Sequence, residues 1–130
     1  MNQEQEITQL LDHHLNALLS TNVPEILSDY DDDSLIYTPN GPVQGLSNLK
    51  IMFASFLANL PADVLQSIEV LRQDIYQDTA YILWRAGDQI PLGTDTFVIR
   101  NGKIAIQSFA AQLNFSQLSE VSGVKDAMKK

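Results

Sequence analysis

No cysteine occurs in this chain, so disulfides, thiolate nucleophiles and thiolate-held metals are excluded, and the fold needs no oxidising compartment. Positive charge is scarce as well: 8 Lys and Arg stand against 16 Asp and Glu, a formal net charge of −8. Without clustered cations, nucleic acid and anionic membrane surfaces are not expected partners. No apolar run approaches the roughly 20 residues that span a bilayer. The N-terminus carries Glu4, Glu6 and Asp12 where a signal peptide has a basic lead, so a cytoplasmic location is expected. Also missing are a nucleophile elbow, a phosphate loop and a dinucleotide fingerprint. The two histidines, His13 and His14, project about 100° apart on a helix and cannot share one ion. Neither a metal nor another cofactor is expected.

What is present reads as one globular domain. The chain has 130 residues, 45% of them hydrophobic, enough to bury about two-thirds of the surface its unfolded form exposes. The domain is taken as 1–130, with a core of about 7–113 and a tail of 114–130. In residues 3–20, Ile7, Leu11, His14 and Leu18 recur at helical spacing. His14 lies near the middle of that apolar stripe, and His13 is turned away beside Gln9 and Asn16. Asn22 and Pro24 read as the cap and first-turn proline of a short second helix through Ile26 and Leu27. Asp29, Asp31, Asp32 and Asp33 lack the alternation and terminal glutamate of a calcium loop and read as a solvated loop. Leu35, Ile36 and Tyr37 form a short strand with Tyr37 facing outward, and Thr38-Pro39-Asn40-Gly41-Pro42 stops it at a sharp turn. Leu46, Leu49, Phe53, Phe56, Leu57 and Leu60 then mark a third helix, ended by Pro61.

From Val64 onward the apolar period shortens to two, predicting strands over 64–73, 79–86 and the two arms of 94–111. Gln77-Asp78 is the turn between the first two of these. Helices first and strands after imply an α+β fold with a mostly antiparallel sheet. Within TDTFVIRNGKIAIQSFAA, Asn101-Gly102 is a hairpin turn, because both residues tolerate positive φ. Strand alternation places Asp95, Phe97 and Ile99 on one face. If that face is inward, Asp95 is a carboxyl aimed into an apolar interior, joined from the second arm by Gln107, Phe109 and Ala111. In the tail, Phe115, Leu118, Val121 and Val124 recur every third residue, and Gly123 interrupts them.

The acidic segment and strand DDDSLIYTPNGPVQG, the aromatic helix LKIMFASF, the motif YILWRA and the closing hairpin TDTFVIRNGKI together resemble the nuclear transport factor 2-like superfamily. The resemblance runs from about Ile7 to about Leu113, and within the superfamily the chain looks like the SnoaL-like polyketide cyclase and ketosteroid isomerase branch. It implies a cystatin-like, cone-shaped roll: three N-terminal helices on a curved sheet around an apolar cavity, with homodimerisation through the outer sheet face. The position of the protonated acid in ketosteroid isomerase matches Asp95, that of its tyrosine falls on His14, and that of its general base falls on Thr38. Threonine cannot hold a substrate proton near neutral pH, so that isomerase's own mechanism is not implied. A His14 and Asp95 pair doing acid/base isomerase, cyclase or dehydratase chemistry is.

Each candidate has a plainer alternative. His14 is a pocket group or a hydrogen-bonded core histidine. Asp95 lines the pocket, or it caps backbone or pairs with Arg85 or Arg100. Trp84, Phe53, Phe97 and Phe109 are core first and ligand walls second. Gln107 orients a ligand inside the cavity or sits at a wet strand edge. With Thr38, at the position matched to the general base, as a further ligand-binding residue, these residues describe a site for a small apolar molecule. The alternative function is a non-catalytic binding or dimeric association module.

Overall fold

The computed structural model describes residues 2–114; the tail pattern at Phe115 and beyond lies outside the described residues. The first helix, α1 (Gln3–Leu19), starts at Asn2 through a capping box with Gln5 and buries Ile7, Leu11, His14 and Ala17. Asn22 caps α2 (Val23–Leu27), which buries Ile26. After β1 (Leu35–Thr38), the chain turns back at once into β2 (Gly41–Gln44), a strand where the sequence suggested only a turn. It is the edge of the sheet, where Pro42 forgoes no ladder bond to a further strand. Helix α3 (Leu46–Asn59) buries Leu49 and Phe53. A fourth helix, α4 (Ala62–Gln66), replaces the first residues of the strand expected from Val64. Pro61 supplies its N-cap, and Val64 with Leu65 joins Leu60, Ala86 and Ile90 in a satellite core. A buried one-turn helix and a buried strand start share the same apolar run, so periodicity alone does not separate them.

Strands β3 (Ile68–Tyr76), β4 (Thr79–Ala86), β5 (Ile90–Arg100) and β6 (Lys103–Gln112) follow. The six-stranded sheet has the order β2-β1-β6-β5-β4-β3 and is antiparallel except where β1 runs parallel to β6. It is curved and unclosed, and the main core lies between it and α1, α2 and α3, with Ile36, Phe97, Ile99 and Ile104 from the sheet meeting Ile7, Leu11, Ile26, Leu49 and Phe53.

Asn101 and Gly102 both take positive φ, 53° and 74°, and the turn pairs Arg100 with Lys103 and Ile99 with Ile104. Continued unbroken, that count would set Phe97 opposite Ile106. Instead Val98 pairs with Ile106 and Phe97 with Gln107, because Ala105 is an extra residue in β6, a one-residue bulge. The turn therefore does not set the register alone. The backbone of Ile104 looks away from β5: its N–H donates to the Asp29 carbonyl at 2.7 Å, and its carbonyl accepts the Ser34 hydroxyl at 2.6 Å.

Candidate functional site

The bulge brings three cross-strand rows to the inner face: Ala80, Phe97 and Gln107; Ile82, Asp95 and Phe109; Trp84, Gly93 and Ala111. Asp95 sits in the middle row. Trp84 Nε1–H donates to its Oδ1 at 2.8 Å, and Gln107 Nε2–H donates to its Oδ2, also at 2.8 Å. The Gln107 carbonyl oxygen in turn accepts the hydroxyl of Tyr30. Neither Arg85 nor Arg100 is its partner: the Arg85 guanidinium pairs with Glu69, and Arg100 is exposed. Burial pushes the Asp95 carboxyl up to about 6, a rise that the bonds from Gln107 and Trp84 and the nearby His14 only partly oppose. Its residue keeps some exposure, but the carboxyl group is deep enough for desolvation to dominate. Burial also raises the Tyr30 phenol well above its ordinary range, with the charges of Asp95 and Asp29 adding to the effect.

Trp84 can reach Asp95 because Gly93 is its cross-strand neighbour. A Cβ built on Gly93 would lie 2.3 Å from the indole, so only glycine lets the ring lie flat across β5. The indole stacks on Phe109 with centroids 6.5 Å apart, and Phe109 meets Phe56 edge-on at 6.4 Å.

His14 enters from α1 and is 5% exposed. Its ring stands edge-on to Tyr30, Phe97 and Phe53, at centroid distances of 5.7, 5.9 and 6.4 Å. Nδ1 is buried without a hydrogen bond among the described residues; Asp29 Oδ2 lies 3.8 Å away, within ion-pair reach but too long for a hydrogen bond.

Asp29 corrects the expectation of a wholly solvated acidic loop. It is 5% exposed, whereas Asp31, Asp32 and Asp33 are exposed. Its two carboxylate oxygens lie 2.9 and 2.8 Å from His13 Nδ1, and His13 Nε2 meets Glu25 at 2.8 Å. Hydrogen bonds to Asp29 first and Glu25 second raise the His13 pKa above 6.5.

Thus His14, Asp95, Trp84, Phe53, Phe97, Gln107 and Phe109 gather between α1, α3 and the inner sheet face. Thr38 stands apart in the β1–β2 turn, its hydroxyl donating to Gly41 O at 2.8 Å and accepting from Asn40 N–H at 3.1 Å. Tyr37 points out and is 50% exposed. Sequence reasoning missed Tyr30 and Asp29. The available signal was an aromatic inside an acidic run: Tyr30 must bury its ring, and it carries the adjacent Asp29 inward with it.

Two surface hollows are present elsewhere. One, of about 450 Å³, runs between α1 and the tip of the β5–β6 hairpin and is lined by Glu6, Leu10, His13, Asp29, Ile99 and Asn101 among others. The other, of about 350 Å³, lies between β2 and α3. Among the described residues, no group of three or more His, Asp or Glu is placed to hold a metal ion, and no helix is long and apolar enough to cross a membrane.

No protein-family model matches the sequence, and no curated protein matches it. Solved structures do. A nuclear transport factor 2-like protein of unknown function from Burkholderia xenovorans is 20% identical, with a TM-score of 0.69 over 86% of this chain and 87% of that one. A SnoaL-like protein of unknown function from Burkholderia thailandensis is 15% identical, with a TM-score of 0.71 over 86% and 98%. A de novo designed protein with a curved β-sheet is 14% identical, with a TM-score of 0.72 over 95% and 99%. The fold is the one these proteins share. Since a designed chain also adopts it, the fold alone carries no activity.

Proposed function

We propose, on the premise of a nuclear transport factor 2-like fold, that this protein binds a small apolar carbonyl compound and carries out cofactor-independent acid/base chemistry on it. The reaction class is isomerisation, cyclisation or dehydration. The observation that carries this reading is the Asp95 carboxyl, held by Trp84 and Gln107 with its pKa raised to about 6. A buried acid tuned close to neutrality can both take and return a proton. His14, with no hydrogen bond among the described residues to Nδ1, is the second proton-transfer group. Phe53, Trp84, Phe97 and Phe109 form the walls, and Gln107 orients the carboxyl.

In this scheme Asp95 takes a proton from a carbon next to the carbonyl, and His14 donates to or accepts from the oxygen on which charge develops. The alternative reading is a dimeric association module that uses the outer sheet face, where Tyr37, Thr96, Ser108 and Ala110 are exposed. A thermal-shift screen against apolar ketones and polycyclic carbonyl compounds tests the first reading. Wild type should be stabilised by a subset, and Asp95→Asn and His14→Ala should lose turnover of those ligands. A screen in which nothing stabilises wild type, with a dimer seen by light scattering, would favour the association module; a monomer at micromolar concentration would remove that reading.

A further inference from the structure

Asp29 lies between two adjacent histidines, and nothing in the proposed chemistry uses it. The carboxylate comes from the turn after α2 and is fixed twice. Its main-chain oxygen accepts the Ile104 N–H at 2.7 Å, and both side-chain oxygens are within 2.9 Å of His13 Nδ1. Glu25 closes on the far side of His13 through Nε2. His13 lines the hollow between α1 and the hairpin tip, so the Glu25–His13–Asp29 chain runs from solvent to the interior. At its inner end is His14 Nδ1, the one buried side-chain nitrogen or oxygen among the described residues that has no hydrogen-bond partner. Asp29 Oδ2 is the carboxylate oxygen that faces it, at 3.8 Å.

A neutral imidazole carries its proton on one nitrogen, and the partner of that nitrogen decides which. A carboxylate opposite Nδ1 attracts an N–H and repels a lone pair. The other groups facing His14 are the Tyr30, Phe97 and Phe53 rings and, at longer range, the Asp95 carboxyl; among the described residues none of them hydrogen-bonds Nδ1. We infer that Asp29, clamped by His13, is the positioning residue of His14. It holds the imidazole as the Nδ1–H tautomer and leaves Nε2 as the nitrogen that exchanges a proton with a ligand. The role assigned to Nε2 rests on the acid/base reading above; the tautomer does not. When Nε2 takes a proton, the imidazolium keeps its Nδ1–H towards Asp29. The same proton leaves from Nε2 in the return step, so no other donor is needed.

Long-range proton–nitrogen correlation NMR on the full, uniformly ¹⁵N-labelled chain without ligand reads the tautomer directly. In the neutral form, wild-type His14 should show a protonated Nδ1 and a bare Nε2. Asp29→Asn should lose that pattern in favour of Nε2–H, and His13→Gln, which keeps the Asp29 carboxylate, should retain it. Wild-type His14 as the Nε2–H tautomer overturns the assignment without recourse to any variant. So does an unchanged tautomer in Asp29→Asn with an otherwise native amide spectrum. Because no ligand is involved, this result stands or falls independently of the ligand screen.

Discussion

Gln107 joins Tyr30 to Asp95: its carbonyl oxygen accepts a hydrogen bond from the phenol O–H, and its amide N–H donates to the Asp95 carboxyl at 2.8 Å. A single amide therefore satisfies two polar groups in the interior. Gln107→Leu would leave both without that partner, at roughly 1–3 kcal/mol for each. We expect a urea midpoint lowered accordingly. We also expect the Asp95 carboxyl to titrate above its present value of about 6, because the Gln107 bond is the foremost influence holding it down. Carboxyl-selective ¹³C NMR reads that titration, and an unmoved Asp95 would contradict the network.

Asp95 also makes stability depend on pH in the direction opposite to a salt-bridged aspartate. Its folded value of about 6 lies above the ordinary 3.8, so between these limits the folded state holds a proton that the unfolded state has released. Stability therefore falls as pH rises from about 4 to about 6, by an amount on the order of 2–3 kcal/mol. Asp95→Asn should flatten that stretch of the profile in thermal melts. A parallel decline in the variant would assign the effect elsewhere.

His13 acts in the next window. Its pKa is raised by Asp29 and then Glu25, so its contribution is complete below 6.5 and is lost as pH climbs through the higher folded value. The side chain is 42% exposed, and solvent screening keeps the effect modest. His13→Gln should remove the decline above pH 6.5 and leave the lower one attributable to Asp95. Melts of both variants across pH 4–9 separate the two groups.

Gly93→Ala tests how Trp84 is held. The new methyl would overlap the indole, so the ring must swing off β5 and release Asp95. A cost of roughly 1–3 kcal/mol is expected for such overpacking. Trp84 is the sole tryptophan of the chain, so its fluorescence reports on the site alone. Emission should shift to the red, and native-like emission in Gly93→Ala would show that the sheet yields instead.

Much of this arrangement was legible in the sequence. The spacing of Ile7, Leu11 and His14 put the imidazole on the buried face of α1, and alternation along β5 put Asp95 and Phe97 together. Asn101-Gly102 announced the hairpin. What could not be read was set by partners distant in sequence. Asp29 sits in a run of charges that reads as solvated until Tyr30 and His13 are seen around it. The strand β2 is visible only once β1 is there to pair with it, since two prolines and two glycines in Pro39–Gly45 offer no pattern of their own. The helical turn at Ala62–Gln66 is decided by the satellite core it closes. The residues that meet around Asp95 were legible one by one, but their hydrogen bonds were not.

Ala105 is a residue that the ladder of β6 does not need. Deleting it would leave Ile99 opposite Ile104, Val98 opposite Ile106 and Phe97 opposite Gln107 in one unbroken register, so Gln107, Phe109 and Ala111 would still face inward and Asp95 would keep its amide. A strand that kept Ala105 but lost the bulge would instead turn Ile106, Ser108 and Ala110 inward. The bulge thus absorbs a one-codon insertion near the hairpin tip without passing it on to the residues around Asp95, and the backbone grip of Asp29 and Ser34 on Ile104 lies where that slack is taken up.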